Sequence, residues 1–176
     1  QGGPRYEKMF PSFFNPGETL SMSDKHLVFV GLRKAEIQEF NLPEALAFGE
    51  CRLRITHSLI SPGTELSMYR TDRTDPLAPG YTAAGIVEKC GEGLDAGLLG
   101  KTVFCFPVLK DSMHCHASRK NVARDGLLIP VPDGMDAGKA CFARLINVAM
   151  TPFCHLDPKI SGTALVVGLG LVGNLA

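Results

Sequence analysis

Apolar and polar residues alternate along much of the chain, a pattern that predicts β-strands. Residues 25–40 hold a β-rich run, a glycine and a second alternating run, which predicts a hairpin. Residues 50–60 alternate strictly and predict a half-buried strand. Residues 81–89, 100–106 and 127–134 add short β-rich runs between glycine and proline turns. Strands of this length and spacing predict a barrel.

Polar side chains follow the strand predicted over residues 50–60. The sequence Ser61-Pro62-Gly63-Thr64-Glu65 breaks the alternation. Thr64 and Glu65 are predicted to cap a short helical turn that runs through Tyr69. The segment is therefore expected to project hydroxyl and carboxylate groups at the end of a strand.

The hydrophobic period changes near residue 136. From Asp136 to Cys154 the apolar spacing is helical and predicts one linking helix, whereas residues 163–167 form a continuous apolar run typical of a buried parallel strand. Residues before about Ser23 have no clear period and predict a loose arm. The predicted order is an arm (1–22), a barrel (23–135), a linking helix (136–160) and the start of a nucleotide-binding domain (161–176).

The final apolar run enters a G-x-G-x-x-G sequence and then a predicted helix start at Asn174. In a strand-turn-helix setting, this spacing predicts a pyrophosphate site at the helix N-terminus. The first glycine permits the tight turn, the second admits the pyrophosphate, and the third lets helix and strand pack closely. An ordinary strand-to-helix turn is the alternative. The predicted cofactor-binding residues here are Gly168, Gly170, Leu171, Val172 and Gly173.

Charge and cysteine usage narrow the classes of partner. The 18 basic residues balance the 18 acidic ones, which argues against nucleic-acid or anionic-membrane binding. The longest apolar run is too short and too rich in glycine to span a bilayer, and no secretory signal is recognisable at the start. Six cysteines without a C-x-x-C pair are typical of a reducing, cytoplasmic protein.

Three segments, 60–66, 79–87 and 166–173, resemble the medium-chain dehydrogenase/reductase superfamily in order and spacing. The likeness extends over about residues 26–176. It implies a mainly β fold with some α: a GroES-like, partly open β-barrel catalytic domain, then the first strand and glycine-rich turn of an α/β Rossmann domain. The implied cofactor is NADP or NAD, and the implied partner is a small-molecule substrate. The resemblance leaves room for a homodimer through the nucleotide-binding sheet.

The positions that match the family's zinc ligands hold other residues. Pro62 stands at one cysteine position, Tyr81 and Thr82 replace a histidine and a glutamate, and Asn147 falls near the remaining cysteine. No metal is therefore predicted, because a tetrahedral zinc site needs three protein ligands. A separate site at His114, Cys115 and His116 remains the alternative.

Candidate roles follow from the resemblance. Thr64 matches a hydroxyl that relays protons, and Tyr81 either donates to a substrate oxygen or packs as a wall. Ser61 and Glu65 are expected on the substrate side, although Glu65 alternatively braces the loop. Thr151 resembles a threonine that lies against the nicotinamide.

The resulting expectation is a zinc-independent, NAD(P)-dependent oxidoreductase acting on a small organic carbonyl, enone or alcohol in a biosynthetic pathway. The 176 residues by themselves are expected to be inactive, since one strand and a few helical residues cannot form a nucleotide-binding sheet. The alternative is a non-catalytic, GroES-like binding module that lacks a working cofactor site.

Overall fold

A computed structural model describes residues 23–106, 114–123, 127–155 and 165–176. The predicted arm over residues 1–22 lies outside this part of the chain. The described elements are β1 (Asp24–Gly31), β2 (Lys34–Phe40), β3 (Cys51–Ser58), α1 (Pro62–Tyr69), β4 (Ala83–Cys90), a 3-10 turn (Ala96–Leu98), β5 (Thr102–Phe106), β6 (Arg119–Val122), β7 (Leu127–Pro130), α2 (Ala137–Ala140) and α3 (Ala143–Cys154).

Strands β1 and β2 form the predicted hairpin, with Asp24 opposite Phe40 in an antiparallel register. The other strands form an antiparallel sheet in the order β6-β3-β4-β5-β7. The β3–β4 register shifts at two places, each leaving one residue unpaired. Such bulges bend and twist a sheet. Beside one of them, a Cβ on Gly85 would lie 2.5 Å from the Arg54 carbonyl oxygen, so the close approach requires glycine.

The core lies on one face of the five-stranded sheet. It is built from small and medium apolar side chains that the strands and the segment before β6 contribute. Its buried members are Cys51, Leu53, Ala83, Val87, Val103, Cys105, Cys115 and Val122. The six cysteines all lie in the described residues and all are free thiols.

The β1–β2 hairpin is joined to this sheet by local pairing and by polar contacts. Isolated bridges connect His26 with Ala117 and Phe29 with Leu77. The buried Asp24 carboxylate accepts from Arg119 Nε at 2.6 Å and from Ser118 Oγ at 3.0 Å. These contacts close one side of the sheet and leave the barrel partly open, so the predicted mainly β architecture is confirmed.

The sequence predicted that buried apolar and exposed polar residues alternate strictly along β3, and this prediction is wrong at its start. Arg52 is buried between Cys51 and Leu53, which are also buried. Its guanidinium donates to Asn121 Oδ1 at 3.1 Å and to the Pro43 carbonyl oxygen, so burial leaves these donors satisfied.

The prediction of one uninterrupted linking helix also differs from the structure. The described residues after 136 form two helices, α2 and α3, because the chain turns at Cys141 and Phe142. Asp136 caps α2 by accepting from the Lys139 amide at 2.9 Å. Helix α3 then buries Leu145 and Ala149, the face that the helical spacing indicated.

Of the strand predicted over residues 163–167, the structure describes residues 165–167. Leu165 and Val167 are 87% and 88% exposed, and 165–167 form no strand with any described residue. A parallel strand needs paired neighbours to bury its apolar side chains. The helix start is also missing, since 171–175 form turns. Among the described helices, none has the length and apolar content to cross a membrane.

Candidate functional site

The site begins at the first turn of α1, which starts earlier than predicted. The helix runs from Pro62 with Ser61 as its N-cap, so Thr64 and Glu65 lie inside it and do not cap it. Proline suits the first helical position because its fixed φ is helical and its missing N–H needs no partner. The Glu65 Oε1 atom accepts from the Ser61 amide at 2.9 Å, so Glu65 braces the entry to the helix.

The second oxygen of Glu65 starts a chain of hydrogen bonds. Glu65 Oε2 lies 2.8 Å from His116 Nε2, and His116 Nδ1 lies 2.7 Å from Ser58 Oγ. The Glu65 and His116 side chains are only 4% and 8% exposed, whereas Ser58 is exposed at the end of β3. We refer to Ser58, His116 and Glu65 as the proton chain.

Gly80 fixes the position of the imidazole. Its φ is +93°, and a Cβ there would lie 2.8 Å from the His116 amide nitrogen and 2.9 Å from its ring. The Gly80 carbonyl oxygen accepts from the Cys115 amide at 2.8 Å. Only glycine satisfies both the backbone conformation and this contact.

A carboxylate that orients an imidazole against a hydroxyl can move a proton between solvent and a buried site. The buried end of the chain is Glu65, and the exposed end is Ser58. Sequence reasoning missed Ser58 altogether and treated His116 only as an alternative metal ligand. No local signal could have joined them, because they are separated by 58 positions.

The other candidates are spread around this chain. Thr64 is exposed on α1, and Ser61 is buried at its N-cap. Thr151 is exposed on α3, where its hydroxyl donates to the Asn147 carbonyl oxygen at 2.9 Å. Tyr81 directly follows Gly80 and is half-buried. Catalytic and cofactor roles for these residues remain predictions.

Arg144, which the sequence did not single out, lies against Tyr81. Its guanidinium carbon is 5.7 Å from the Tyr81 ring centre and 4.6 Å from the Phe106 ring centre. Its Nη1 donates to Asn147 Oδ1 at 2.6 Å. A guanidinium thus contacts two of the positions that match the family's zinc ligands.

The residues at those positions do not suit a zinc ion. Pro62 has no donor atom, and the Thr82 hydroxyl is buried and donates to the Cys141 carbonyl oxygen at 3.4 Å. The charge of Arg144 beside Tyr81 and Asn147 would repel a cation. No group of three or more His, Cys, Asp or Glu residues converges within the described ranges.

The three residues of the alternative metal site, His114, Cys115 and His116, lie in different surroundings. The centre of the His114 ring lies 4.3 Å from that of the His26 ring, in an edge-to-face contact, and 4.8 Å from that of the tilted Phe40 ring. The backbone at His114 is not extended, since its φ is +85°. The buried Cys115 sulfur accepts a hydrogen bond from Cys105, which lowers the Cys115 pKa. His116 lies in the proton chain, so these three side chains do not converge.

The glycine-rich turn has steric requirements at two of its glycines. Gly168 has φ at +97°, and a Cβ on Gly173 would lie 1.8 Å from the Gly168 carbonyl oxygen. The Asn174 amide donates to the Gly170 carbonyl oxygen at 2.9 Å, and its side chain donates to the same oxygen at 3.0 Å. Gly168 and Gly173 therefore let the backbone of the turn approach itself more closely than residues with a Cβ would allow.

Solved structures that share this fold include three dehydrogenases. Butanediol dehydrogenase from Bacillus subtilis is 18% identical with a TM-score of 0.72, over 87% of this chain and 53% of that one. Galactitol-1-phosphate dehydrogenase from Escherichia coli is 20% identical with a TM-score of 0.69, over 86% and 50%. An Escherichia coli alcohol dehydrogenase complexed with NADH is 18% identical with a TM-score of 0.64, over 76% and 46%.

The chain has the fold that these structures share. The GroES-like, mainly β fold class predicted from the sequence is thereby confirmed. The chain spans about half the length of the structures it matches. No protein-family model and no curated protein sequence matches it.

Proposed function

We propose that this chain is part of an NAD(P)-dependent oxidoreductase that transfers hydride to or from a small organic carbonyl, enone or alcohol without zinc, in a biosynthetic pathway. The carrying observation is the glycine-rich turn, with its left-handed Gly168 and its close Gly168–Gly173 approach, on a medium-chain-type fold. Gly168, Gly170 and Gly173, with Leu171 and Val172 between them, would hold the pyrophosphate of NADP or NAD. The bound cofactor would supply or accept the hydride.

The proton chain supports the other half of this chemistry. Reduction of a carbonyl or an activated double bond consumes one proton for each hydride, and a positioned side chain speeds that transfer. Ser58 is exposed, so its hydroxyl can donate a proton to a substrate oxygen and take one from a protonated His116, which Glu65 orients. After the product leaves, solvent returns a proton to His116 through Ser58. Thr64 and Tyr81 remain the candidates for polarising the substrate.

Zinc independence is supported by residue chemistry. Pro62 offers no ligand atom, and Arg144 places a positive charge against Tyr81 and Asn147. Six free cysteines are consistent with a reducing compartment, so we also propose a cytoplasmic location. A homodimer with a small-molecule substrate, and without a nucleic-acid or membrane partner, completes the proposal.

The proposed NAD(P) site at the glycine-rich turn is tested by cofactor binding. NADPH and NADH are titrated by fluorescence into the longest natural polypeptide that contains these 176 residues. Gly168→Ala is expected to weaken cofactor binding by about 10-fold or more, because a Cβ strains the turn that faces the pyrophosphate. Gly100→Ala is the matched control, since Gly100 also has a positive φ and open space around it. Absence of cofactor binding by the unaltered protein would favour the non-catalytic binding module.

The proton chain is tested by Ser58→Ala. Oxidation of NADPH and NADH is followed with 2-cyclohexenone and benzaldehyde across the pH range, and kcat is expected to fall by about 100-fold. Ser67→Ala provides the control, because Ser67 is an exposed serine on α1. An unchanged kcat and pH profile in Ser58→Ala would remove the chain from the mechanism.

A further inference from the structure

A cation without a carboxylate partner lies beside Tyr81. Arg144 comes from the first turn of α3, and its guanidinium contacts the rings of Phe106 and Tyr81 at 4.6 and 5.7 Å. None of the ion pairs formed within the described ranges involves Arg144. Ring faces and an amide oxygen attract the guanidinium, but they leave its full positive charge in place.

Most of the hydrogen-bond donors of Arg144 have no acceptor among the described residues. A guanidinium has five N–H donors, and one N–H on Nη1 donates to Asn147 Oδ1 at 2.6 Å. The Nε atom is buried without a hydrogen-bond partner in the described part of the chain. Nη2 likewise has no acceptor among those residues. The protein's own described groups therefore leave this guanidinium only partly satisfied, and its terminal edge remains free for an acceptor.

We propose that Arg144 binds a carboxylate group of the substrate. Its terminal edge offers parallel N–H groups from Nη1 and Nη2, which match the two oxygens of one carboxylate. The Phe106 and Tyr81 rings restrict the guanidinium, so little side-chain entropy is lost on binding. One guanidinium balances a single negative charge, which favours a carboxylate over a doubly charged phosphate ester.

This assignment rests on the proposed function and narrows its substrate class. Tyr81, against which Arg144 lies, directly follows Gly80, and Gly80 packs against His116. The anion site and the proton chain therefore meet at the Gly80–Tyr81 segment. A substrate anchored by its carboxylate at Arg144 would present its carbonyl or double bond near the proton chain, so the substrate class becomes oxo acids or unsaturated acids.

The test compares butyrate with butyramide, which differ in charge and little in shape. Binding of each probe to the same polypeptide used for the cofactor titration is measured by NMR, without cofactor. Butyrate is expected to bind about 10- to 100-fold more tightly than butyramide, and Arg144→Gln should remove that preference. Arg144→Lys should retain only part of the preference for butyrate, because lysine keeps the positive charge but lacks the paired N–H donors of the guanidinium. Arg70→Gln, an exposed arginine after α1, should leave it intact.

Equal binding of the two probes, or a preference that survives in Arg144→Gln, overturns the proposal. Inorganic phosphate that displaces butyrate at equal concentration overturns the carboxylate class. NADPH and NADH affinities are measured in the same variants. A carboxylate preference without cofactor binding contradicts the proposed function alone, whereas cofactor binding without the preference contradicts the anion site alone.

Discussion

At the scale of single residues, a group of three rings shows how burial sets charge. The His26 ring lies 4.6 Å from that of Phe40 and 4.3 Å from that of His114. Burial, the neighbouring His26 and the charge of Lys120 lower the pKa of His114 to about 4. Burial also lowers the pKa of His26. His26 Nδ1 and His114 Nε2 have no hydrogen-bond partner in the described residues, as expected for neutral rings packed for their shape.

The free energy of unfolding should therefore depend on pH. In the folded protein His114 stays neutral down to about pH 4, whereas the unfolded chain takes up this proton below about pH 6.5. Stability is thus full above pH 6.5 and declines as the pH falls towards 4, by on the order of 2 kcal/mol from this residue after allowance for its partial exposure to solvent. Denaturant unfolding of His114→Asn should show a shallower decline, since asparagine tolerates the positive φ and does not titrate.

The control for that series is His155→Asn, at the exposed C-terminal end of α3. It should keep the full decline of the unaltered protein. A His114→Asn profile that parallels the unaltered one over this pH range would contradict the assignment to His114. The lowered pKa of His26 acts in the same direction and remains in the variant.

At the scale of elements, the hydrophobic pattern located strands better than capping and turn residues located the ends of helices. Alternation predicted the β1–β2 hairpin and β3, because burying one face of a sheet imposes a period of two. Short β-rich runs between glycine and proline turns predicted β4, β5 and β7. The ends of helices were harder to predict. Helix α1 begins at Pro62, where a buried glutamate holds the N-cap amide, and the helical residues after 136 divide at Cys141 and Phe142. The Ser61–Glu65 contact is local, but Glu65 is itself bound by His116, which lies 51 positions away in sequence.

At the scale of the whole molecule, one buried carboxylate adds side-chain hydrogen bonds to the backbone pairing that holds the hairpin to the sheet. Asp24 accepts hydrogen bonds from Ser118 and Arg119, which lie 94 and 95 positions away in sequence. The neighbouring Lys25 amide also donates to Ser118 Oγ at 3.0 Å. Hydrogen bonding to Asp24 raises the pKa of Arg119. This contact and the backbone pairing at residues 77 and 116–118 together join β1 to the part of the chain that carries the site.

Asp24→Ala should loosen the hairpin before the sheet unfolds. The expected loss is about 1 to 3 kcal/mol, a range that allows for the partial exposure of Arg119. Hydrogen exchange should accelerate at the amides of β1 and β2 and much less at those of β4 and β5. Glu39→Ala, an exposed change on β2, provides the comparison. Uniform acceleration across both sheets would show that the hairpin is not a separate unit.

The sequence alone determined the strand pattern, the mainly β fold class and the glycine-rich turn. These depend on local period and on backbone conformations that glycine alone adopts readily, as at Gly168. Only the tertiary structure placed Ser58, His116 and Glu65 in one hydrogen-bonded chain and set Arg144 against Tyr81. Those groups come from separate strands, loops and helices. Their proximity arises from register shifts in β3 and β4, the left-handed backbone at Gly80 and the break before α3, none of which a local pattern encodes.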